Sequence, residues 1–322
     1  MATAEQIKSL ISSHFSEQPE RFYTIALQVA AHEAKKGNSA LAHDIRDIVD
    51  AERKKGGPRV IAFPQDLRGL VLAEESGTSK AALVIHSPLQ KRIDQIIHEY
   101  RQQKKIKSHG LKHRRKILLI GPPGTGKTMT ARVLAKELSI PLYTIQVDRL
   151  VTKFMGETSS KLRQIFDHIQ REHGIYLFDE FDAIGSERSM DNDVGEMRRV
   201  LNSFLQFIEQ DTSDSLIIAA TNNPKLLDQA LFRRFDDVLY YESPDENDRR
   251  KLIENVLATF KAPKFLWTKV LAKSDGLSHA EIDMSCRDAI KCAILSDKLK
   301  VNAKLLLEAL MHRQNTLKGL QG

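Results

Sequence analysis

The sequence Gly-Pro-Pro-Gly-Thr-Gly-Lys-Thr at residues 121–128 decides the fold, because it fills every fixed position of the phosphate-binding pattern G-x-x-x-x-G-K-[ST]. A short apolar run, residues 117–120, precedes it and has the composition of a buried parallel strand. Residues 129–138 follow with apolar side chains at helical spacing. A strand, a glycine-rich loop and a helix in this order predict a site for the phosphates of a nucleotide.

The chemistry of this loop indicates ATP with Mg²⁺. Its glycines let the backbone curl so that amide N–H groups and the positive end of the helix face a triphosphate. Lys127 is expected to add a charge to the β and γ phosphates, and the hydroxyl of Thr128 to bind Mg²⁺. The residues predicted to bind the nucleotide are Gly121, Pro122, Pro123, Gly124, Thr125, Gly126, Lys127, Thr128 and Met129.

The composition is that of an ordinary soluble protein with two or three folded units. The chain has 322 residues, of which 41% are apolar and 28% charged. No apolar run approaches the roughly 18 residues of a membrane span, and the start of the chain has no secretion signal. The two cysteines, Cys286 and Cys292, lie in one predicted helix and form no disulfide framework. We therefore expect a cytoplasmic protein without membrane segments.

Much of the formal net charge of +7 comes from one basic cluster just before the phosphate loop. Clustered cations are typical of nucleic-acid binding, but no aromatic residues are interleaved here for base stacking. A solvated helix end beside an anionic nucleotide explains the cluster as well, and this interpretation is favoured. The cluster consists of Lys104, Lys105, Lys107, Lys112, Arg114, Arg115 and Lys116.

Residues 1–55 are predicted to form a small N-terminal domain of three helices. Three apolar stripes at helical spacing lie within residues 7–15, 22–29 and 41–49. Packing between the helices explains each stripe, and a partner-binding groove is the alternative. Residues 56–86 are interpreted as a linker and the start of the next domain, with apolar bursts that predict no definite element.

Residues 87–242 alternate between strand and helix patterns, which predicts a parallel sheet covered by helices on both faces. Residues 243–322 show no convincing strand and are predicted to form a helical subdomain. Proline-containing capping boxes are expected to start helices at Ser87 and Ser243. The predicted fold class is α/β, a P-loop NTPase sheet with an N-terminal three-helix unit and a C-terminal helical subdomain.

An acidic pair, Asp179 and Glu180, follows the apolar run at residues 175–178. In a nucleotide-binding sheet, Asp179 is expected to hold Mg²⁺ and Glu180 to polarise the attacking water. Alone, such a pair is as typical of a solvated turn. Its place after a phosphate loop favours the catalytic interpretation.

Five motifs in this order resemble the AAA ATPases, and the similarity extends from about Leu89 to Ala293. The resemblance implies a ring, usually a hexamer, with ATP bound between neighbouring subunits. It also implies a C-terminal helical lid, here with the motif at residues 276–281, and nucleotide-driven motion on a substrate in a central pore. The five motifs are residues 121–128, 154–157, 178–183, 219–223 and 234–236.

The resemblance also implies roles for two residues outside the loop. Asn222 is expected to be the sensor that contacts the γ phosphate or the lytic water, although Asn-Asn-Pro is also a turn sequence. Arg234 is expected to be the arginine finger that a subunit supplies to its neighbour's ATP. Many relatives carry a second arginine three residues later, where this sequence has Asp237 and where Arg233 is the nearest substitute.

A pore loop is implied at Phe154, Met155 and Gly156, where the aromatic and aliphatic side chains would grip an extended polypeptide. These side chains favour a protein remodeller over a nucleic-acid motor, for which Lys153 is the supporting residue. The alternative for Phe154 is a core aromatic that pins the loop. Because the zinc-protease pattern H-E-x-x-H is absent from the sequence, any proteolysis is expected to come from a partner protease. The N-terminal unit would then select that partner, an adaptor or the client.

Overall fold

The fold is described by a computed structural model for residues 19–55, 67, 69–74, 77–153, 157–184, 191–226, 229–262, 265–298 and 300–321. The chain divides into two compact units, Met1–Ile61 and Ala62–Gly322. The domain boundaries expected at residues 55, 86 and 242 stay predictions. Among the described residues, no helix is long and apolar enough to cross a membrane.

The first unit contains helices α1 (Pro19–Lys35) and α2 (Ser39–Lys55), which pack against each other. Gly37 lies in the turn between them with a φ of 89°, and the side-chain amide of Asn38 donates to the Oε2 of Glu33 at 2.7 Å. Ile25, Ala26, Val29, Ala30 and Val49 are buried, but packing does not account for all of the third stripe, because Leu41 and Ile48 are exposed. The first predicted stripe, residues 7–15, lies outside the described residues.

The second unit is built on a six-stranded sheet with the order β1-β3-β4-β5-β2-β6. All pairs of strands are parallel except β1 with β3, which are antiparallel. The parallel sheet is therefore confirmed, and β1 is an antiparallel edge strand in a segment whose sequence indicates no element. The strands are β1 (Val71–Glu74), β2 (Lys116–Ile120), β3 (Leu142–Gln146), β4 (Ile175–Asp179), β5 (Leu216–Thr221) and β6 (Asp237–Tyr240).

Helices cover both faces of this sheet because every central strand alternates its side chains between two apolar layers. Leu177 points into the layer shared with α3 and α5. Phe178 points to the other face, where its ring lies 5.8 Å from Phe166 of α7 and 5.1 Å from Phe204 of α8. The helices of this part are α3 (Ser87–Arg101), α4 (Gln103–Ser108), α5 (Lys127–Leu138), α6 (Val147–Lys153), α7 (Thr158–Arg171), α8 (Asp191–Gln210) and α9 (Gln229–Phe232).

The C-terminal part is helical, as predicted, and we call it the lid. Its own apolar core includes Leu252, Ile282 and Leu306. Within the described residues after β6, the extended pairing is one isolated bridge between Lys261 and Val301. The lid helices are α10 (Glu246–Leu257), α11 (Trp267–Lys273), α12 (His279–Leu295) and α13 (Ala303–Gln321).

Both predicted proline-containing capping boxes are wrong. Helix α3 begins at Ser87 itself, and the residue at its N-cap is His86, whose side chain makes no capping bond. Helix α10 is capped by Asp245 rather than Ser243, since the Asp245 carboxylate accepts the N–H of Asp248 at 2.7 Å. In both places the proline is compatible with more than one starting residue of the helix, so the sequence pattern alone did not identify the N-cap correctly.

The sequence suggested that the basic cluster lies beside the phosphate loop, but in the structure it does not. It ends at Lys116, the first residue of β2, and the loop follows the other end of that strand, about 16 Å away for five extended residues. Much of its charge is also paired. Buried Arg115 binds buried Asp211, and Lys107 binds Asp214. The length of β2 therefore separates two stretches that are adjacent in the sequence.

Candidate nucleotide-binding site

Three central strands bring the predicted site together at one edge of the sheet. Strands β4, β5 and β2 are neighbours and parallel, so their carboxyl ends meet at this edge, where open α/β sheets bind ligands. The phosphate loop, the acidic pair and Asn222 follow these ends. They line a cleft of about 1000 Å³ whose other wall belongs to the lid. The pore-loop residues Phe154, Met155 and Gly156 lie outside the described residues.

The phosphate loop holds a buried ammonium group at its centre. Gly124 and Gly126 have φ angles of 75° and 100°, which glycine adopts without strain. The Lys127 ammonium donates to the backbone carbonyls of Gly121 at 2.7 Å and Pro122 at 2.8 Å. Burial lowers the pKa of Lys127, while the Asp179 and Asp182 carboxylates oppose that shift. The loop thus fixes one positive charge at its centre.

The lid is docked directly on this loop. The backbone N–H of Ala280, in the first turn of α12, donates to the carbonyl of Gly124 at 3.0 Å. A Cβ atom on Gly124 would lie 2.7 Å from the Oγ of Ser278 and 3.1 Å from the Cβ of Ala280. A capping box between Ser278 and Glu281 sets the start of α12 at this place. Glycine at residue 124 is therefore what lets the loop and the lid touch.

A hydroxyl and a carboxylate meet where the sequence predicts Mg²⁺. The Oγ1 of Thr128, in the first turn of α5, donates to the Oδ2 of Asp179 at the end of β4, at 2.9 Å. Oxygen atoms of these two kinds are the ligands that Mg²⁺ prefers. The residues present therefore fit the ion, and its binding here stays a prediction.

Glu180 combines an unusual backbone with a raised pKa. Its φ of 53° lies in the left-handed region, which is uncommon for residues other than glycine and is found at functional sites. Burial raises the pKa of its carboxyl group, and the carboxylates of Asp148, Asp179 and Asp182 add to the shift. A partly exposed carboxyl group with this shift is suited to accept a proton from water.

Asp182 is a neighbour that the sequence reasoning missed. Its Oδ1 accepts the backbone N–H of Asn222 at 3.2 Å, so it fixes the residue predicted to sense the γ phosphate. The exposed Asn222 also lines the cleft. The sequence spacing could have pointed to Asp182, because this residue follows Asp179 by three positions and belongs to the same acidic motif.

Arg234 is the predicted site residue that the structure does not bring to this cleft. It precedes β6, whose first residue, Asp237, is opposite Ile117 at the start of β2. It therefore lies near the sheet edge opposite the phosphate loop, where its Nε is 3.2 Å from the Oε2 of Glu209.

Asp237, where the resemblance would imply a second arginine, is buried and serves the fold instead. Its carboxylate pairs with Arg92 of α3 and, at 3.4 Å, with Arg114. Arg233 is exposed beside Arg234. The chain thus has a structural anion at this position.

Comparison with known proteins decides the family. Residues 117–243 match the family described as "ATPase family associated with various cellular activities (AAA)". An uncharacterized AAA family ATPase, y4kL, of Sinorhizobium fredii is 33% identical over 314 residues, which cover 94% of this chain and 93% of that protein. The chain belongs to the AAA family of ATPases. This AAA ATPase accordingly binds a nucleotide and hydrolyses ATP.

Other relatives match a smaller share of this chain. A putative 26S proteasome regulatory subunit homolog of Methanothermobacter thermautotrophicus is 31% identical, with 62% of this chain and 55% of that protein covered. The peroxisomal ATPase pex6 of Schizosaccharomyces pombe is 33% identical, with 63% of this chain but 22% of that protein covered. The crystal structure of the FIGL-1 AAA domain has a TM-score of 0.62 at 22% identity and covers 80% of this chain and 91% of that chain, which shows the fold.

Part of the cleft is apolar and was also missed by the sequence reasoning. Leu83 and Val84 line it from the segment before α3, and Leu252, Val256 and Ile290 line it from the lid. An apolar pocket beside the phosphate loop is suited to a planar base. The run of apolar residues 81–85 was visible in the sequence, but nothing there indicated that it faces the lid.

We predict that Gly124→Ala weakens ATP binding about tenfold. The new methyl group would meet Ser278 at 2.7 Å, in a conformation that costs alanine about 1–2 kcal/mol, and would push α12 off the loop. Gly110→Ala is the matched control, because Gly110 has a φ of 74° with open space around it. Both variants should lower the melting temperature, Gly124→Ala by at least as much as Gly110→Ala, and only Gly124→Ala should raise the dissociation constant for ATP. Equal ATP affinity in the two would contradict the lid contact.

Proposed function

We propose that this AAA ATPase forms a ring, with six subunits as the resemblance implies, and uses ATP hydrolysis to remodel, unfold or thread a protein client through a central pore. The observation that carries the proposal is the position of Arg234 near the sheet edge opposite the phosphate loop. A site that needs this arginine is incomplete within one chain. A neighbouring copy of the chain would complete it.

The proposed reaction assigns one task to each group of the cleft. Lys127 and the loop amides hold the phosphates, and Asn222 orients the γ phosphate or the attacking water. Glu180 accepts a proton from that water while the oxygen atom of the water bonds to the γ phosphorus. The bond between the γ phosphorus and the bridging oxygen of ADP breaks in the same step. The raised pKa of Glu180 makes its carboxylate a stronger base, which helps it to accept this proton.

Thr128 and Asp179 are the residues that would hold Mg²⁺. The Oγ1 of Thr128 and the Oδ2 of Asp179 are already 2.9 Å apart. Thr128 lies in α5 and Asp179 at the end of β4, so regular elements hold both side chains in place. When bound, the ion supplies positive charge to the phosphate oxygens. Met129 and the remaining loop residues would position the nucleotide through their backbone.

These roles predict different defects in two variants. Lys127→Ala should abolish ATP binding, because it removes the one side-chain cation fixed in the loop. Glu180→Gln should keep the affinity but reduce turnover at least about a hundredfold, because it preserves the shape of the side chain and removes the base. Equilibrium binding of ATP and phosphate release would be measured on both. Equal loss of affinity in the two variants would contradict the assignment.

The distance between the loop and Arg234 supports the proposed ring. Strand β6 runs parallel to β2, and its four residues separate the two sites by about 13 Å. The ion pair with exposed Glu209 leaves Arg234 at the surface, with 39% of its side chain accessible. A surface arginine of this kind is available to an ATP bound by a neighbouring subunit, where it would stabilise charge in the transition state.

Mixing two inactive variants tests the ring. Arg234→Ala subunits should bind ATP normally and hydrolyse it poorly, whereas Lys127→Ala subunits should not bind it. A mixture should recover part of the activity, since a Lys127→Ala subunit still offers Arg234 to the intact loop of its neighbour. ATPase rate would be measured against protein concentration and mixing ratio. Activity independent of concentration, with no recovery on mixing, would show that one chain suffices.

A protein client is favoured over a nucleic acid by two observations. The proposed pore loop offers an aromatic and an aliphatic side chain at Phe154 and Met155, followed by Gly156. The basic cluster that favoured nucleic acid lies away from the loop and is partly paired with Asp211 and Asp214. The names of relatives include a putative proteasome regulatory subunit homolog and the ATP-dependent zinc metalloprotease FtsH. A partner protease or adaptor, selected by the N-terminal unit, would therefore fit the same motor.

Phe154→Ala should separate the motor from its work. If Phe154 grips the client, the variant should retain its ATPase rate and melting temperature while client unfolding falls at least about tenfold. Leu295→Ala is the control, because it removes an apolar side chain that is 85% exposed on the lid. A marked fall in melting temperature for Phe154→Ala would instead indicate a core residue. Intact client processing with lost nucleic-acid translocation would support the nucleic-acid motor.

A further inference from the structure

A cluster of one imidazole and two carboxylates joins the ATPase core to the lid. The Nδ1 of His86 is 2.6 Å from the Oδ2 of Asp248, and its Nε2 is 3.6 Å from the Oδ2 of Asp245. His86 directly precedes α3 and follows Val84, which lines the cleft, by two residues. Both aspartates lie at the start of lid helix α10. We call these three residues the latch.

The latch is close to the lid residues that contact the phosphate loop. His279 is the first residue of α12 and lies between Ser278 and Ala280, which both approach Gly124. It shares a small pocket of about 180 Å³ with His86 and Asp248. Among the described residues, neither ring nitrogen of His279 has a hydrogen-bond partner. The Asp248 carboxylate pairs with His86, and its charge also acts to raise the pKa of His279 against the larger effect of burial.

We propose that the latch is a proton-dependent positioning element for ATP binding: the His86 imidazolium holds α10, and through α10 the start of α12, against the phosphate loop. The inference rests on the proposed use of residues 121–128 for ATP. Three contacts carry it in series. His86 pairs with Asp248 of α10, the buried side chains of α10 and α12 share the lid core, and Ala280 of α12 donates to Gly124.

The charges around His86 favour its protonated form. The hydrogen bond to Asp248 raises the pKa of His86 and outweighs burial, which lowers it, and the carboxylates of Asp245 and Glu242 raise it further. The basic groups that line the same pocket are His279 and Arg92. Burial lowers the pKa of His279, which favours its neutral form, and Arg92 is paired with Asp237 outside the latch.

The sign of the pH dependence follows from the raised pKa. The folded protein holds the His86 proton more tightly than the ordinary value of about 6.5 allows, so the charged contact is complete below that value. It is lost as the pH rises through the raised pKa. The lid should then be held less firmly on the loop, and ATP should bind more weakly in alkaline than in weakly acidic buffer.

The test compares the KM for ATP and the kcat of full-length protein with Mg²⁺ between about pH 6 and about pH 9. The wild-type KM should rise about two- to fivefold with pH, the range expected for a partly exposed ion pair, while kcat changes in parallel with the controls. His86→Gln should show a high KM with no such rise. His86→Lys, which keeps a positive charge across this range, should show a low KM throughout.

His98→Gln is the matched control, because His98 is an exposed histidine later in α3. It should retain the wild-type profile, which also accounts for titration of ATP itself. A wild-type pH profile in His86→Gln, or a KM in His86→Lys that still rises as in wild type, would overturn the latch. If Lys127→Ala keeps full ATP affinity, the proposed nucleotide site fails; if it abolishes binding and the His86 variants behave like wild type, the latch alone fails.

Discussion

The hydrogen bond from the Ala280 N–H to the Gly124 carbonyl is the contact on which the nucleotide site depends. It joins the phosphate loop, which is fixed to the sheet, to a helical lid with a separate apolar core. The loop is confined from the other side as well, because a Cβ atom on Gly121 would lie 2.3 Å from the carbonyl oxygen of Tyr241. Two glycines therefore let a strand end, a loop and a helix start pack in contact. The cleft exists because these three elements meet.

The polarity of the sheet divides the remaining functional groups. Parallel strands place Asp179, Glu180 and Asn222 at the same edge as the loop. The same polarity places Arg234 and the basic cluster towards the opposite edge. One chain thus presents a nucleotide cleft on one side and a surface arginine on the other. A closed ring of identical chains would bring each arginine to the next cleft, which is the arrangement we propose.

The sequence predicts best those features that depend on neighbouring residues in the chain. The buried runs that form β2, β4 and β5 are visible because each is apolar without interruption, and the phosphate loop follows a strand as expected. Strand β1 was missed because it is short and at the edge, with Leu72 and Ala73 exposed. The cap of α10 was placed at Ser243 rather than Asp245 because the two share one local pattern.

Features that join distant parts of the chain had no sequence signal. His86 and Asp248 are 162 residues apart, and no local pattern relates them. The basic cluster is the opposite case. It is close to the loop in the sequence, which suggested that it is also close in space, but the length of β2 keeps the two apart. The lid contact at Gly124 could not be seen in the sequence either. The phosphate pattern already accounts for a glycine at this position, so nothing indicated that a side chain there would also collide with Ser278.

The proposed arrangement of cleft, lid and ring can be tested with a structure of the assembled Glu180→Gln protein with ATP and Mg²⁺. We expect the triphosphate over residues 121–128, with Ala280 still bonded to Gly124 and with Arg234 of a neighbouring subunit at the γ phosphate. ATP held by one chain with its own Arg234 beside the γ phosphate would rule out the proposed ring. A nucleotide bound away from the loop would rule out the proposed nucleotide site.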